Sequence, residues 1–163
     1  MTEAYSAARG PKGRRKLTQM QRSVSTSFSY VRLASLAAGF LLVGVALFQT
    51  GLALGVPWGS AAYGGGAAGT DGVLATGLRL SSAVAAAVLI LAAWILLVRG
   101  GVMPVGALNG RLVRWAPWGI VGFLVLNTLG NLSSSSPVER WGLGGITLVL
   151  VILCAVVAVR GPR

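Results

Sequence analysis

Four long apolar stretches without a charged side chain are the feature that most constrains how this chain can fold. They run over residues 33–56, 80–98, 115–132 and 141–159. The first would extend about 36 Å as a helix, whereas a bilayer hydrocarbon core is about 30 Å thick. The stretches are continuous rather than alternating, which favours helices over the strands of a transmembrane barrel. The sequence therefore predicts an all-α fold, an integral membrane bundle of four transmembrane helices.

The supply of reactive side chains excludes several kinds of site. The chain has one cysteine, Cys154, and no histidine, so it has no internal disulfide, no Ser-His-Asp triad and no zinc site with histidine ligands. Its acidic residues are Glu3, Asp71 and Glu139, in a chain of which only 10% is charged. Soluble domains carry about a quarter charged residues. We expect a membrane protein with no catalytic residues that the sequence can name, no metal and no cofactor.

The basic residues predict how the bundle is oriented, because Lys and Arg near span ends are retained in the cytoplasm. Only Arg79 and Arg140 would lie on the outer side. The other twelve of the fourteen fall in the amino-terminal segment, the connection between the second and third spans, and the tail: Arg9, Lys12, Arg14, Arg15, Lys16, Arg22, Arg32, Arg99, Arg111, Arg114, Arg160 and Arg163. Both termini are expected to be cytoplasmic, in a bacterial plasma membrane, with residues 57–79 and 133–140 outside.

Segments outside the spans differ in character. Residues 1–32 are basic and rich in serine, and we expect them to be largely disordered as far as about Met20. Positive charges such as those of Arg14, Arg15 and Lys16 could contact anionic lipids. Without a recognition fold or an aromatic platform, a basic segment predicts no nucleic-acid partner. Residues 160–163 form a short cytoplasmic tail.

The first outer loop, residues 57–77, contains Pro57, Trp58 and seven glycines. It is either a compact cap folded back on the bundle or a flexible connector. Trp58 and the four other tryptophans lie within a few residues of a predicted border, which is typical of the headgroup layer.

Polar residues form two candidate groups. The first is a possible outer-face cluster, in which Arg79 could pair with Asp71 or Glu139, either to hold a loop against a helix or to line a pocket for a headgroup or substrate. Its members are Asp71, Arg79, Glu139 and Arg140.

The second group lies within the apolar runs. Asn127 and Asn131 are four residues apart and share one helix face, so their amides are expected to find partners on other helices. The members of this group are Gln49, Thr50, Asn127 and Asn131.

Two short segments carry a resemblance to a group of proteins. They are the Pro57-Trp58-Gly59-Ser60-Ala61-Ala62-Tyr63-Gly64-Gly65 turn and the stretch from Asn127 through Asn131 and the serines to Glu139-Arg140, with Arg79 at the start of the second span. In these features the chain resembles small four-span integral membrane proteins, of uncharacterised function, from bacteria with GC-rich genomes. The resemblance implies the membrane fold and brings no activity.

Three functions remain open. A non-enzymatic accessory or interaction component would dock or self-associate through closely packed helices, and small residues recur at suitable spacing in Ser35/Gly39, Gly51/Gly55 and Ala83/Ala87. A small transporter or channel subunit is disfavoured because no span offers an ionisable group near its centre. An outer-face enzyme acting on lipids would have to use Asp71 and Glu139 as acid and base. We favour the first function.

Overall fold

The computed structural model describes residues 11–104, 106 and 110–162, with side chains from residue 30 onward. Its elements are α1 (Pro11–Leu54), a 3₁₀ turn (Gly59–Ala61), α2 (Thr76–Arg99), α3 (Gly110–Leu132), a π-helical segment (Val138–Leu143) and α4 (Gly144–Arg160). Four helical stretches are long and apolar enough to cross a membrane: Tyr30–Leu54, Thr76–Arg99, Gly110–Leu132 and Val138–Arg160. The prediction of an all-α architecture with four such helices is confirmed.

The first three helices begin before the apolar runs that predicted them, because a charge at the end of a run does not end a helix. The largest difference concerns the amino-terminal segment, where disorder was expected to about Met20. In the structure α1 already begins at Pro11. Proline is favoured at the first helical position, and the Lys, Arg, Gln, Leu and Met that follow are good helix formers. Residues 1–10 lie outside the described part of the chain.

The bundle core joins three helices in particular. Helix α1 packs along α2 and against α4, and α4 packs along α3, whereas α2 and α3 touch only lightly. Fully buried side chains from three helices meet at the centre, among them Leu42, Leu96, Leu150 and Cys154. One side of the bundle is thus held by extensive helix packing, and the α2–α3 side is loosely closed.

Small residues permit the close approach of α1 and α2. Ser35 is fully buried and would block a Cβ on Gly100, and a Cβ on Gly39 would lie 3.2 Å from Leu97 Cδ2. Ala83 and Ala87 are exposed. Of the three spacings selected from the sequence, Ser35/Gly39 therefore serves packing within the chain, and Ala83/Ala87 lies on an outer face.

The loop between α1 and α2 is a packed cap. Leu52, Ala62 and Leu74 form a small buried cluster beneath it. Its backbone closes on itself, since Gly59 N donates to Gly72 O at 3.0 Å and Ala68 forms an isolated bridge with Leu74. The alternatives left open by the sequence are thereby resolved in favour of the cap.

Trp58 covers the last turns of α1. Its ring stacks on Phe48 with centroids 5.9 Å apart and an angle of 3° between the planes. A Cβ on Gly51 would lie only 2.7 Å from Trp58 Cζ3. Gly51 is therefore small to admit this tryptophan of its own chain, not a neighbouring helix.

Two arginines of α2 bind the carboxyl ends of neighbouring helices. Arg79 Nε donates to Ala53 O, in the last turn of α1, at 3.0 Å. At the opposite end of the bundle, the buried Arg99 donates to Ala158 O at 3.2 Å and to Pro162 O, beyond the end of α4. Cations at these positions complement the negative end of a helix dipole.

Pro117 lies well inside α3, because the helix begins at Gly110 and not near Trp115 as the apolar run suggested. The apolar run alone predicts that Pro117 lies in the first turn of the third helix, and this prediction is wrong. Proline cannot donate to the carbonyl four residues earlier, and such a gap is tolerated in membrane helices when neighbouring groups compensate.

Candidate functional site: a cavity at the loop end

The end of the bundle that carries residues 55–75 and 133–137, which we call the loop end, contains a cavity of about 340 Å³. All four helices, the cap and the π-helical segment contribute to its wall. The lining residues are Val45, Gln49, Ala62, Tyr63, Ala85, Leu89, Phe123, Leu124, Asn127, Asn131, Glu139, Leu143, Thr147 and Leu150. Its volume falls at the lower end of the range of about 300–1,000 Å³ that is typical of ligand pockets.

The cavity is polar toward the loop end and apolar toward the middle of the bundle. Glu139 and Asn131 lie close to the loops, whereas Val45, Leu124 and Leu150 lie deeper along their helices. Such a gradient matches a molecule with a polar head and an apolar body.

Glu139 is the charged residue of this wall, and its side chain is buried with 8% exposure. Its Oε2 accepts a hydrogen bond from Gly64 N at 2.8 Å and another from the Ser134 hydroxyl. It belongs to the π-helical segment, and π-bulges are frequent at functional sites. The sequence-predicted pairing of Glu139 with Arg79 does not form, so two neutral donors hold the carboxylate.

Gln49 contributes to the wall of the same cavity from α1. Its Oε1 is buried and has no hydrogen-bond partner within the described part of the chain. A buried acceptor left unpaired costs about 1–3 kcal/mol, and such groups in native structures call for an explanation. A ligand donor would satisfy the atom once the amide rotates toward the cavity.

The two asparagines lie on the face of α3 that lines the cavity. Asn127 Nδ2 donates to Phe123 O of its own helix at 3.0 Å. Asn131 forms no side-chain hydrogen bond with any residue that the structure describes. The expectation of interhelical partners is therefore wrong, because the cavity separates these amides from the facing helices.

Tyr63 is a wall residue that sequence reasoning did not select as a site. Its φ of 52° places a non-glycine residue in the left-handed region, where side chains are strained. Its hydroxyl lies 3.0 Å from the buried Ser82 Oγ and donates to Leu78 O at 3.3 Å. The strained turn directs the ring toward α2 and is followed by Gly64, whose N–H binds Glu139.

The remaining sequence-predicted residues lie outside the cavity. Asp71 is exposed and its Oδ1 accepts from Val73 N at 3.0 Å within its own turn. Arg140 is exposed, and Arg79 is committed to the end of α1. Thr50 is exposed and donates to Ala46 O at 2.8 Å. The structure thus joins one member of the first predicted group with three members of the second.

Loop contacts hold the mouth of the cavity together. Ser135 Oγ donates to Gly64 O at 2.9 Å, and Ser136 Oγ donates to Ser60 O at 3.3 Å. The serine run before α4 therefore binds the cap, which brings Glu139 and Tyr63 to one wall. The sequence alone did not predict this contact.

Comparison of the chain with protein-family models, curated proteins and solved structures found no match. The resemblance to four-span proteins of GC-rich bacteria accordingly stays a prediction, and the chemistry of the cavity carries the functional argument.

Proposed function

We propose that this protein is a non-enzymatic component of a bacterial plasma membrane that binds a small amphipathic molecule in its loop-end cavity. In this proposal the chain spans the membrane four times, both termini are cytoplasmic and the cavity lies in the outer half of the bilayer. The observation that carries the proposal is the cavity itself, in which the polar Gln49, Asn131 and Glu139 lie above an apolar floor.

The distribution of apolar surface supports a membrane location. Each of the five tryptophans is partly exposed, from 41% for Trp94 to 75% for Trp141. Large apolar side chains are also exposed along all four helices, for example Phe40, Leu80, Leu126 and Ile152. Contiguous apolar surface of this extent marks an interaction with lipid or with other membrane proteins. The proposed role as an accessory component uses this surface.

The orientation rests on charge. The loop end carries Arg79 and Arg140, whereas twelve of the fourteen basic residues belong to the other predicted side. This asymmetry favours a cytoplasmic location for both termini. The basic Arg14, Arg15 and Lys16 lie on α1, outside the part whose side chains are described, and binding of anionic lipids by them is part of the proposal.

The cavity favours binding over transport in this conformation. Its floor is followed, farther from the loop end, by the fully buried Leu42, Leu96 and Cys154. Among the residues that the structure describes, these fully buried side chains separate the cavity from the opposite end of the bundle. A transporter subunit is the alternative. Transport would require a second conformation in which this core opens.

A lipid-processing enzyme is the weaker alternative. Asp71 and Glu139 were the residues that could serve as acid and base, but Asp71 binds its own turn outside the cavity. The cavity thus has one carboxylate beside neutral amides. These groups are better suited to binding a headgroup than to catalysis that needs both a general acid and a general base.

The proposal is tested by asking whether the protein carries a small molecule out of the membrane. The chain is extracted in a mild detergent and examined by native mass spectrometry. We expect a one-to-one complex with an amphipathic molecule. Ala85→Phe, which fills the cavity from α2, should abolish that complex. Ala83→Phe on the exposed face of the same helix should leave it unchanged.

Thermal unfolding of both variants shows whether they fold. If Ala85→Phe unfolds the chain, Asn127→Phe fills the cavity from the exposed side of α3 and replaces it in the test. A wild-type protein without any bound molecule would contradict the proposal. So would a folded cavity-filling variant that retains the molecule as fully as Ala83→Phe does.

A further inference from the structure

We propose that the molecule bound in the loop-end cavity carries a primary ammonium group, which Glu139 and Gln49 recognise, on an apolar chain that enters between α2 and α3. This inference rests on the proposed function and adds to it the class of ligand and the route of entry.

The wall of the cavity offers an excess of hydrogen-bond acceptors. Glu139 can accept more hydrogen bonds than the two that reach its Oε2, and the unpartnered Gln49 Oε1 would become a further acceptor once its amide rotates toward the cavity. The Thr147 hydroxyl is committed to Leu143 O at 2.9 Å and the Tyr63 hydroxyl to α2. A ligand that fits this wall must therefore supply several donors from one small group, and an ammonium group supplies three.

The negative charge of Glu139 also favours a cationic ligand. Glu139 is buried, yet no Lys or Arg is found among the described residues that line the cavity. Burial of a carboxylate is costly unless a counter-charge or several hydrogen bonds offset the loss of hydration. The Gly64 amide and the Ser134 hydroxyl are neutral donors. A cationic ligand provides the counter-charge and forms a charge-assisted hydrogen bond, which is stronger than a neutral one.

The cavity opens between α2 and α3. Ala85 and Leu89 of α2 face Phe123 and Asn127 of α3 across it, where these two helices touch only lightly. Phe123 and Asn127 are both exposed, so the cavity reaches the surface of the bundle between the helices. In a membrane this surface faces lipid, and an apolar chain can follow the headgroup in from the side.

Calorimetric titration tests the inference. The full-length protein in phosphatidylcholine nanodiscs is titrated with dodecylammonium and, separately, with dodecanol, and empty nanodiscs correct for partitioning into lipid. We expect dodecylammonium to bind at least about tenfold more tightly than dodecanol. Glu139→Gln, which still offers an oxygen to Gly64 N, should remove this preference.

Asp71→Asn is the matched control, because it removes a carboxylate on the same side of the protein but outside the cavity. It should preserve the preference, which separates recognition in the cavity from attraction to surface charge. Gln49→Leu keeps the carboxylate and removes the unpartnered acceptor, and it should weaken dodecylammonium binding by about fivefold. This variant also tests the inference if Glu139→Gln does not fold.

Equal affinities for the two amphiphiles in the wild-type protein would overturn the ammonium assignment and leave the binding function intact. A preference that survives in folded Glu139→Gln would also overturn it. If neither amphiphile binds beyond the level of empty nanodiscs, the result would instead contradict the proposed function.

A primary ammonium group can come from a lipid headgroup or from a free hydrophobic amine. Replacing part of the phosphatidylcholine by phosphatidylethanolamine distinguishes them. Competition with dodecylammonium would support the inference and identify the headgroup as the source. If dodecylammonium binds as tightly in the presence of phosphatidylethanolamine as in its absence, the result would support the inference and identify a free amine as the source.

Discussion

At the scale of single residues, Glu139 connects the π-helical segment before α4 to two loops. Its carboxylate accepts from Gly64 in the cap and from Ser134 in the second loop. One side chain therefore links Gly64 and Ser134, which are seventy positions apart in the sequence. The same link places the carboxylate in the wall of the cavity.

The candidate residues could be selected from the sequence, but their grouping could not. Gln49, Asn127, Asn131 and Glu139 are conspicuous as polar residues in or beside apolar runs. Spacing along the chain does not reveal that α1, α3 and the π-helical segment before α4 bring these residues to one cavity. Tyr63 was missed as a wall residue because its position depends on a φ of 52°, which no spacing rule predicts.

Gly51 gives a prediction at this scale. A Cβ there would overlap Trp58, whose ring is held against Phe48. We expect the overlap in Gly51→Ala to cost about 2–3 kcal/mol. The gain in helix propensity returns about 1 kcal/mol, which leaves a net loss of about 1–2 kcal/mol in the free energy of unfolding. Chemical denaturation in detergent measures the change.

Gly44→Ala is the control for this prediction, because a Cβ at that position of α1 has nothing within 4 Å. It should leave stability unchanged or raise it by up to about 1 kcal/mol. Equal effects of the two substitutions would mean that Trp58 does not pack on Gly51.

At the scale of elements, the helices were the most predictable part of the molecule. Long uncharged runs are sufficient to predict four helices. Their ends are not predictable in the same way, since α3 begins at Gly110 and α1 at Pro11, beyond the apolar stretches. The contacts that decide how helices meet, such as Ser35 against Gly100, depend on which small residues face one another.

Helix ends also explain the role of Arg79. The sequence suggested an ion pair with Asp71 or Glu139, but the guanidinium binds the last turn of α1 through Ala53 O. It also lies against Gly55, whose φ of 90° ends the helix. A long cationic side chain can reach the backbone carbonyls at the end of another helix, so its partner need not be the nearest carboxylate in the sequence.

Arg79→Met is therefore expected to destabilise the bundle by about 1 kcal/mol, because a charge-assisted hydrogen bond at a helix end is lost while the apolar stem is retained. Arg140→Met, at an exposed position of the same end, should change stability by less than about 0.5 kcal/mol. Thermal unfolding of the two variants in one detergent provides the comparison. Loss of ligand binding in a fully stable Arg79→Met variant would contradict this capping role and point to a role at the cavity.

At the scale of the whole molecule, the α1–α2 and α3–α4 pairs are held together by the packing of α1 on α4. The light contact between α2 and α3 leaves the cavity beside it at the loop end, while Leu42, Leu96 and Cys154 close the core farther along. This arrangement places the cavity in the half of the bundle that carries the loop end, with a fully buried apolar core beyond it. In our account the half with the cavity is the outer one.

Cysteine labelling tests this central claim most directly. Ser60 and Met103 are both exposed, and they lie at the loop end and at the opposite end of the bundle. Ser60→Cys and Met103→Cys are each introduced after Cys154→Ala and treated in spheroplasts with a membrane-impermeant maleimide. The account predicts that Ser60→Cys is labelled in intact spheroplasts and Met103→Cys only after permeabilisation. The reverse pattern, or labelling of both in intact spheroplasts, would contradict it.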